Sequence, residues 1–180
     1  MRLLAEDTMA LIIDFQEKLM PVMAEREALE KRTDILLRGL KALDVPMVMT
    51  QQYTRGIGMT IPAVREAAGS DEYFDKLSFS CFEDEATHDK IESLERKNVI
   101  ICGIEAHICV LQTCMDLKAA GYTPVLVADC ISSRKLSDKE IALLRAQAEG
   151  ILITTSEAIL FELTRKAGSA VFKEISRLIK

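Results

Sequence analysis

The chain has 180 residues, 49% apolar and 28% charged, with 23 basic against 28 acidic side chains and a formal charge of −5. That balance excludes disordered and fibrous classes. Its charges alternate in sign instead of clustering, which argues against nucleic acid, whose phosphates call for grouped Lys and Arg.

The amino terminus meets the acidic pair Glu6-Asp7 too early for a signal-peptide core, and no apolar run approaches the roughly 18 residues of a membrane span. Met9-Ala10-Leu11-Ile12-Ile13 is a short apolar run closed by Asp14, the pattern of a strand buried on both faces. From about Glu25 to Leu43, the residues Leu29, Ile35, Leu36, Leu40 and Leu43 fall near helical spacing. Pro46 to Thr50 reads as the next strand, and Gln52 to Thr60, with two glycines and no periodicity, as a loop. A weaker strand is expected around Tyr73-Phe74. Glu83 to Lys97 reads as helix, Asn98 to Cys102 as a buried strand ended by Gly103, and residues 107–120 as a helix stopping before Gly121. Pro124 to Asp129 is again a strand with a polar end. Ser137-Asp138-Lys139-Glu140 fits a capping box that opens a helix to about Glu149. Ile151 to Thr155 gives a last strand, Ser156 caps a helix to about Lys166, and a final helix runs from about Ser169 to Leu178.

Glycine and proline are few, and neither linker nor repeat interrupts this alternation, so one domain over 1–180 is expected. Apolar strands separated by helices describe parallel βαβ units, hence an α/β class with the sheet covered on both faces. In such sheets the ligand crevice lies beyond the carboxyl ends of the strands, where strand order reverses. Asp14 to Gln16, Gln51 to Thr54, Gly103 to Cys109 and Asp129 onward are therefore the segments to weigh.

The five cysteines, at 81, 102, 109, 114 and 130, form no C-x-x-C pair, which excludes a zinc ribbon or a thioredoxin-type redox pair. A chain of this size buries enough surface to fold without disulfides, and a reducing cytoplasm is the consistent compartment. Cys109 stands at a strand-to-helix turn, where the helix dipole and free N–H groups favour a thiolate and offer an oxyanion site. The ordinary alternative is an inert buried thiol, the reading given to the other four. Asp14 ends the first strand where substrates bind, although Asp129 ends its own strand similarly and a turn cap is the plain alternative. Of the two histidines, His88 reads as solvent-facing in a charged helix. His107 lies two residues before Cys109, a spacing that does not bring both side chains to one face, so a Cys-His dyad is poorly supported.

Three segments in order, Asp14-Phe15-Gln16, Phe74-Asp75-Lys76-Leu77-Ser78-Phe79 and Gly103-Ile104-Glu105-Ala106-His107-Ile108-Cys109, resemble the isochorismatase-like cysteine hydrolase superfamily, which includes nicotinamidases and N-carbamoylsarcosine amidases. The resemblance runs from about residue 9 to 155. It implies a three-layer αβα, Rossmann-like isochorismatase fold with a six-stranded parallel sheet of order 3-2-1-4-5-6, and an Asp14, Lys76, Cys109 triad. It also implies a cis peptide joining Ile104 to Glu105, an oxyanion hole from the N–H groups of Glu105 and Cys109, and self-association. Read locally, Lys76 among Asp71, Glu72 and Asp75 is a surface lysine, whereas Phe74 and Phe79 suggest instead a segment packed inward.

Nicotinamidases carry a metal-binding Asp-x-His cluster after the second strand. This chain has Gln51-Gln52-Tyr53-Thr54 there, so no metal and no cofactor is expected. The presence of Cys109 favours C–N bond chemistry on a small molecule. Phe15, Gln16, Tyr53, Phe74, Phe79 and His107 are candidate pocket residues, and Arg55 could meet a carboxylate; core packing or a solvated loop is the equal alternative for the four aromatics and Arg55. Two other readings stand beside the hydrolase: a thiol redox protein acting through Cys109, and a non-catalytic scaffold that keeps the fold.

Overall fold

The computed structural model describes residues 2–180. The chain forms β1 (Thr8–Ile13), α1 (Arg26–Ala42), β2 (Met47–Gln52), α2 (Thr54–Ile57), α3 (Pro62–Ala68) and β3 (Phe74–Lys76). It continues through α4 (Glu85–Ser93), β4 (Asn98–Ile104), α5 (Leu111–Ala119), β5 (Thr123–Ser132), α6 (Leu136–Ala148), β6 (Leu152–Thr154), α7 (Ser156–Thr164) and α8 (Ala170–Ile179). The six strands are parallel and lie in the order 3-2-1-4-5-6, as the resemblance implied.

Every residue of β1 and β4 is buried, because successive side chains point to opposite faces and helices cover both. Ala10 and Ile12 of β1 join the core beneath α1, α3, α7 and α8, whereas Met9, Leu11 and Ile13 join the core beneath α4, α5 and α6. Leu36, Leu37 and Leu40 hold α1 on the sheet, and shortening any of them to alanine costs about 2–5 kcal/mol of transfer and cavity energy. No helix among the described residues is long and apolar enough to cross a membrane.

Several boundaries differ from expectation. Lys135 is the extended residue before α6, so Ser137 lies inside the first turn and the capping box does not form. Thr155, not Ser156, caps α7 by accepting the Ala158 N–H. The expected loop after β2 holds the short α2, and α3 comes next, entered through Pro62 at a position where a missing N–H costs nothing. Asp84 caps α4, which ends at Ser93, short of the expected helix end at Lys97. A register shift between Ile101 and Gly103 lets β5 run on to Ser132, so Asp129 sits within the strand. There its carboxylate accepts both the N–H and the hydroxyl of Ser156 at the start of α7, a structural task.

The strand order reverses at β1. Ile13, its last residue, is in register with Thr50 of β2 and with Gly103 of β4, so the segments leaving these three strands open into one crevice.

Candidate active site

Asp14 leaves β1 at φ 57, a left-handed conformation that aspartate tolerates better than most residues. Its N–H donates to Thr50 O while its side chain turns into the crevice, where it is completely buried. A buried carboxylate demands partners, and two are present. The Thr50 hydroxyl donates to Oδ1 at 3.0 Å, and the Lys76 ammonium donates to Oδ2 at 2.8 Å.

Lys76 ends β3, and its side chain is as buried as that of Asp14. Besides Asp14, its Nζ lies 2.7 Å from Gln52 Oε1 and 3.2 Å from the carbonyl oxygens of Ser78 and Phe79. An ammonium with three hydrogens is thus fully satisfied inside the protein. Burial works against its charge, yet the ionisable Cys81, Asp14 and Cys109 outweigh that and hold its pKa above the usual value. The alternative of a surface lysine is overturned by tertiary packing: the neighbouring acids face solvent while the β-strand alternation points Lys76 inward.

Cys109 lies in one π-helical turn, Ala106–Val110, that opens α5 directly after β4. The peptide bond between Ile104 and Glu105 is cis. Glu105 O accepts the N–H groups of Ile108 and Val110, and neither bond uses the Glu105 or Cys109 N–H. The Cys109 residue is 7% exposed. Burial first, then the Asp14 charge and a hydrogen bond to it, push the thiol well above a free cysteine, with Lys76 pulling the other way. Cys109 is therefore a protonated thiol at neutral pH, with the Asp14 carboxylate beside it as a proton acceptor.

Two further contacts brace the turn. Glu105 Oε2 accepts from both the backbone N–H and the Nε of Arg134, each at 3.1 Å, and His107 Nδ1 lies 2.9 Å from Ser133 Oγ. Arg134 remains 60% exposed, and among the described residues Glu105 is its only carboxylate partner.

The expected pocket residues disperse. Phe15 is completely buried in the core beneath α1, because the left-handed Asp14 redirects the chain inward. The Gln16 side chain is spent on backbone: it donates to Gln52 O and Gly58 O and accepts from Gln52 N, pinning the loop over the crevice. Phe74 packs against the core beneath α4 and α5, while Phe79 is exposed, so only its carbonyl serves Lys76. Tyr53 and Arg55 line a hollow of about 620 Å³ rimmed by Asp75, Glu83 and Glu85, beyond the edge of β3. His88 is not simply solvated but packs edge-on against Phe82 at 4.5 Å.

Sequence reasoning missed Thr50, Cys81 and the carboxylate of Glu105, and it gave no separate role to Gln52 within the weighed segment Gln51 to Thr54 or to Ser133 and Arg134 beyond Asp129. Thr50 was within reach, since it lies in the second strand opposite Ile13. Cys81 carried no local signal: its thiol sits 3.4 Å from Thr50 Oγ1, 31 residues away.

Residues 8–158 match the family model described as the isochorismatase domain. The chain is 35% identical to the "Secreted isochorismatase effector Isc1" of Phytophthora sojae, covering 99% of this chain and 87% of that protein. It is 33% identical to isochorismatase domain-containing protein 2 of Danio rerio, covering 99% and 89%. Among solved structures, one described as the MAR1 ribonuclease of Caenorhabditis elegans is 32% identical with a TM-score of 0.92, over 99% of this chain and 92% of that one. The YcaC gene product of Escherichia coli shares the fold, at 18% identity and a TM-score of 0.92, over 98% and 90%.

Proposed function

Because this chain belongs to the isochorismatase family, we propose that it is a cysteine hydrolase that cleaves an amide or related C–N bond of a small molecule through a thioester on Cys109. Asp14 takes the Cys109 proton as the sulfur attacks the carbonyl carbon. The oxyanion meets the N–H groups of Glu105 and Cys109. Asp14 then returns the proton to the leaving amine, and a water deprotonated by Asp14 splits the thioester. Lys76 keeps the carboxylate oriented and offsets the negative charge that builds on sulfur.

The observation that carries this reading is the buried Lys76–Asp14 pair beside a nearly buried thiol at the reversal of strand order. Burying an ion pair is costly and gives weak net stability, so its presence at a crevice favours a chemical task. The worm relative is described as a ribonuclease. For this chain, a net charge of −5 and the acidic rim of Asp75, Glu83 and Glu85 oppose a polyanion and favour the small-molecule reading. We also infer a cytoplasmic protein from its free thiols, and a homo-oligomer; the E. coli neighbour is described as octameric, and Leu77 and Phe79 are exposed beside the Lys76 cradle here.

Peptide-level mass spectrometry after iodoacetamide treatment tests the chemistry. Cys109 should be alkylated faster than the other four thiols, with labelling at that site abolished in Cys109→Ala and slowed in Asp14→Asn. Equal reactivity of all thiols, or an Asp14→Asn protein that labels normally, would sink the proposal.

A further inference from the structure

Cys81 takes no part in the reaction proposed above, yet its thiol is linked to the Asp14 carboxylate and its backbone N–H to the backbone of Cys109. Its Sγ lies 3.4 Å from Thr50 Oγ1, and Thr50 Oγ1 lies 3.0 Å from Asp14 Oδ1. On its other side, the Cys81 N–H donates to Thr113 Oγ1 at 2.9 Å, and that hydroxyl donates to Cys109 O at 2.7 Å. One buried residue on the turn Cys81–Glu83 thus braces β2 behind the base and α5 behind the nucleophile.

Hydrogen counting fixes the direction of the first chain. An aspartate paired with Lys76 is acceptor-only, so Thr50 must spend its single hydroxyl hydrogen on Oδ1. Thr50 Oγ1 is then left with lone pairs alone, and the bond to Cys81 forms only if the thiol donates. Burial, and then the Asp14 charge, push Cys81 up to about 11, which keeps that donor hydrogen in place at neutral pH.

From this geometry we propose that Thr50 and Cys81 are positioning residues, a relay running S–H to O–H to carboxylate that holds Asp14 in the orientation that meets Cys109. The inference rests on Asp14 being the base for Cys109. Among the described residues, Lys76 from β3, Thr50 from β2, Cys81 from its turn and Cys109 from the π-turn face that carboxylate. Without the Thr50 hydroxyl, Asp14 Oδ1 loses the bond that fixes its rotamer, and the carboxylate no longer meets the Cys109 thiol in one geometry.

The experiment follows Cys109 alkylation by iodoacetamide on the full chain at neutral pH, peptide by peptide, beside urea unfolding of the same proteins. Thr50→Val should slow it by about tenfold, the worth of one charge-assisted hydrogen bond, and Thr50→Ser, which keeps the hydroxyl, should restore the wild-type rate. Cys81→Ala should slow it by less, and Cys81→Ser, which retains a donor, should restore it. An unchanged rate in Thr50→Val, or a loss that Thr50→Ser shares, overturns the proposal. Should Thr50→Val fail to fold, an unchanged rate in Cys81→Ala overturns it instead. Asp14→Asn separates the two readings: if it is alkylated at the wild-type rate, Asp14 is not the base and both fall together.

Discussion

Lys76 Nζ stands 2.8 Å from Asp14 Oδ2, and water reaches neither side chain. The pair joins β3 to β1 across the intervening β2. Removing one partner leaves an uncompensated buried charge, so Lys76→Met should lower unfolding stability by about 3–5 kcal/mol. The double variant Lys76→Met with Asp14→Leu should recover most of that loss while Cys109 stays unreactive. Urea midpoints with unchanged slopes, measured on the four-protein cycle, check both statements.

Gly103 sits at φ 146, directly beside Ile13, and a methyl group there would collide with the Ile13 carbonyl and come within 2.6 Å of its Cβ. Backbone cannot yield as a flexible side chain does, because the same atoms hold β1 to β4. Gly103→Ala should cost about 3 kcal/mol or more and separate the Cys109 turn from Asp14. Circular dichroism melts and Cys109 alkylation should fall together; a protein of wild-type stability would count against the close approach.

The thiols make stability depend on alkaline pH. From a free thiol's 9.0, burial raises Cys81 to about 11 and Cys102 to about 12. The folded chain therefore keeps protons that the unfolded chain releases, so stability is full below pH 9 and falls as pH rises from about 9 toward 11 and beyond. For Cys81 alone the loss approaches about 3 kcal/mol. Lys76 acts in the same sense at higher pH, since its raised ammonium stabilises the fold below 10.5 and ceases to once the pH passes its folded value. Urea unfolding at neutral and at strongly alkaline pH should show the decline, reduced in Cys81→Ala.

Glu105 receives two hydrogen bonds from Arg134, one from backbone and one from side chain. Glu105→Ala loses both and leaves a partly buried N–H unpaired, whereas Arg134→Ala keeps the backbone bond. Slower Cys109 alkylation is expected in both, with Glu105→Ala the more affected and destabilised by about 1–3 kcal/mol. Equal effects would mean that the side-chain bond alone matters.

Periodicity and chain punctuation determined much of this protein from the sequence alone. The apolar runs at Met9–Ile13 and Asn98–Cys102 read as strands buried on both faces, which points to parallel βαβ units and puts Asp14 at one strand end and Cys109 on the turn after another. These signals are local, set by neighbours within a few residues. Lys76 is misread for the same reason: its neighbours Asp71, Glu72 and Asp75 describe a solvated surface, and only the pairing of Gln52 with Lys76 across β2 and β3 turns the ammonium onto Asp14. For Phe15 the sequence leaves pocket and core open, and the left-handed Asp14 before it decides for the core. Cys81 and Thr50 lie 31 residues apart, and Glu105 and Arg134 29. Contacts of that range have no period to reveal them. They exist because strand order brings distant segments to one crevice, where buried polar groups must find partners or leave the interior.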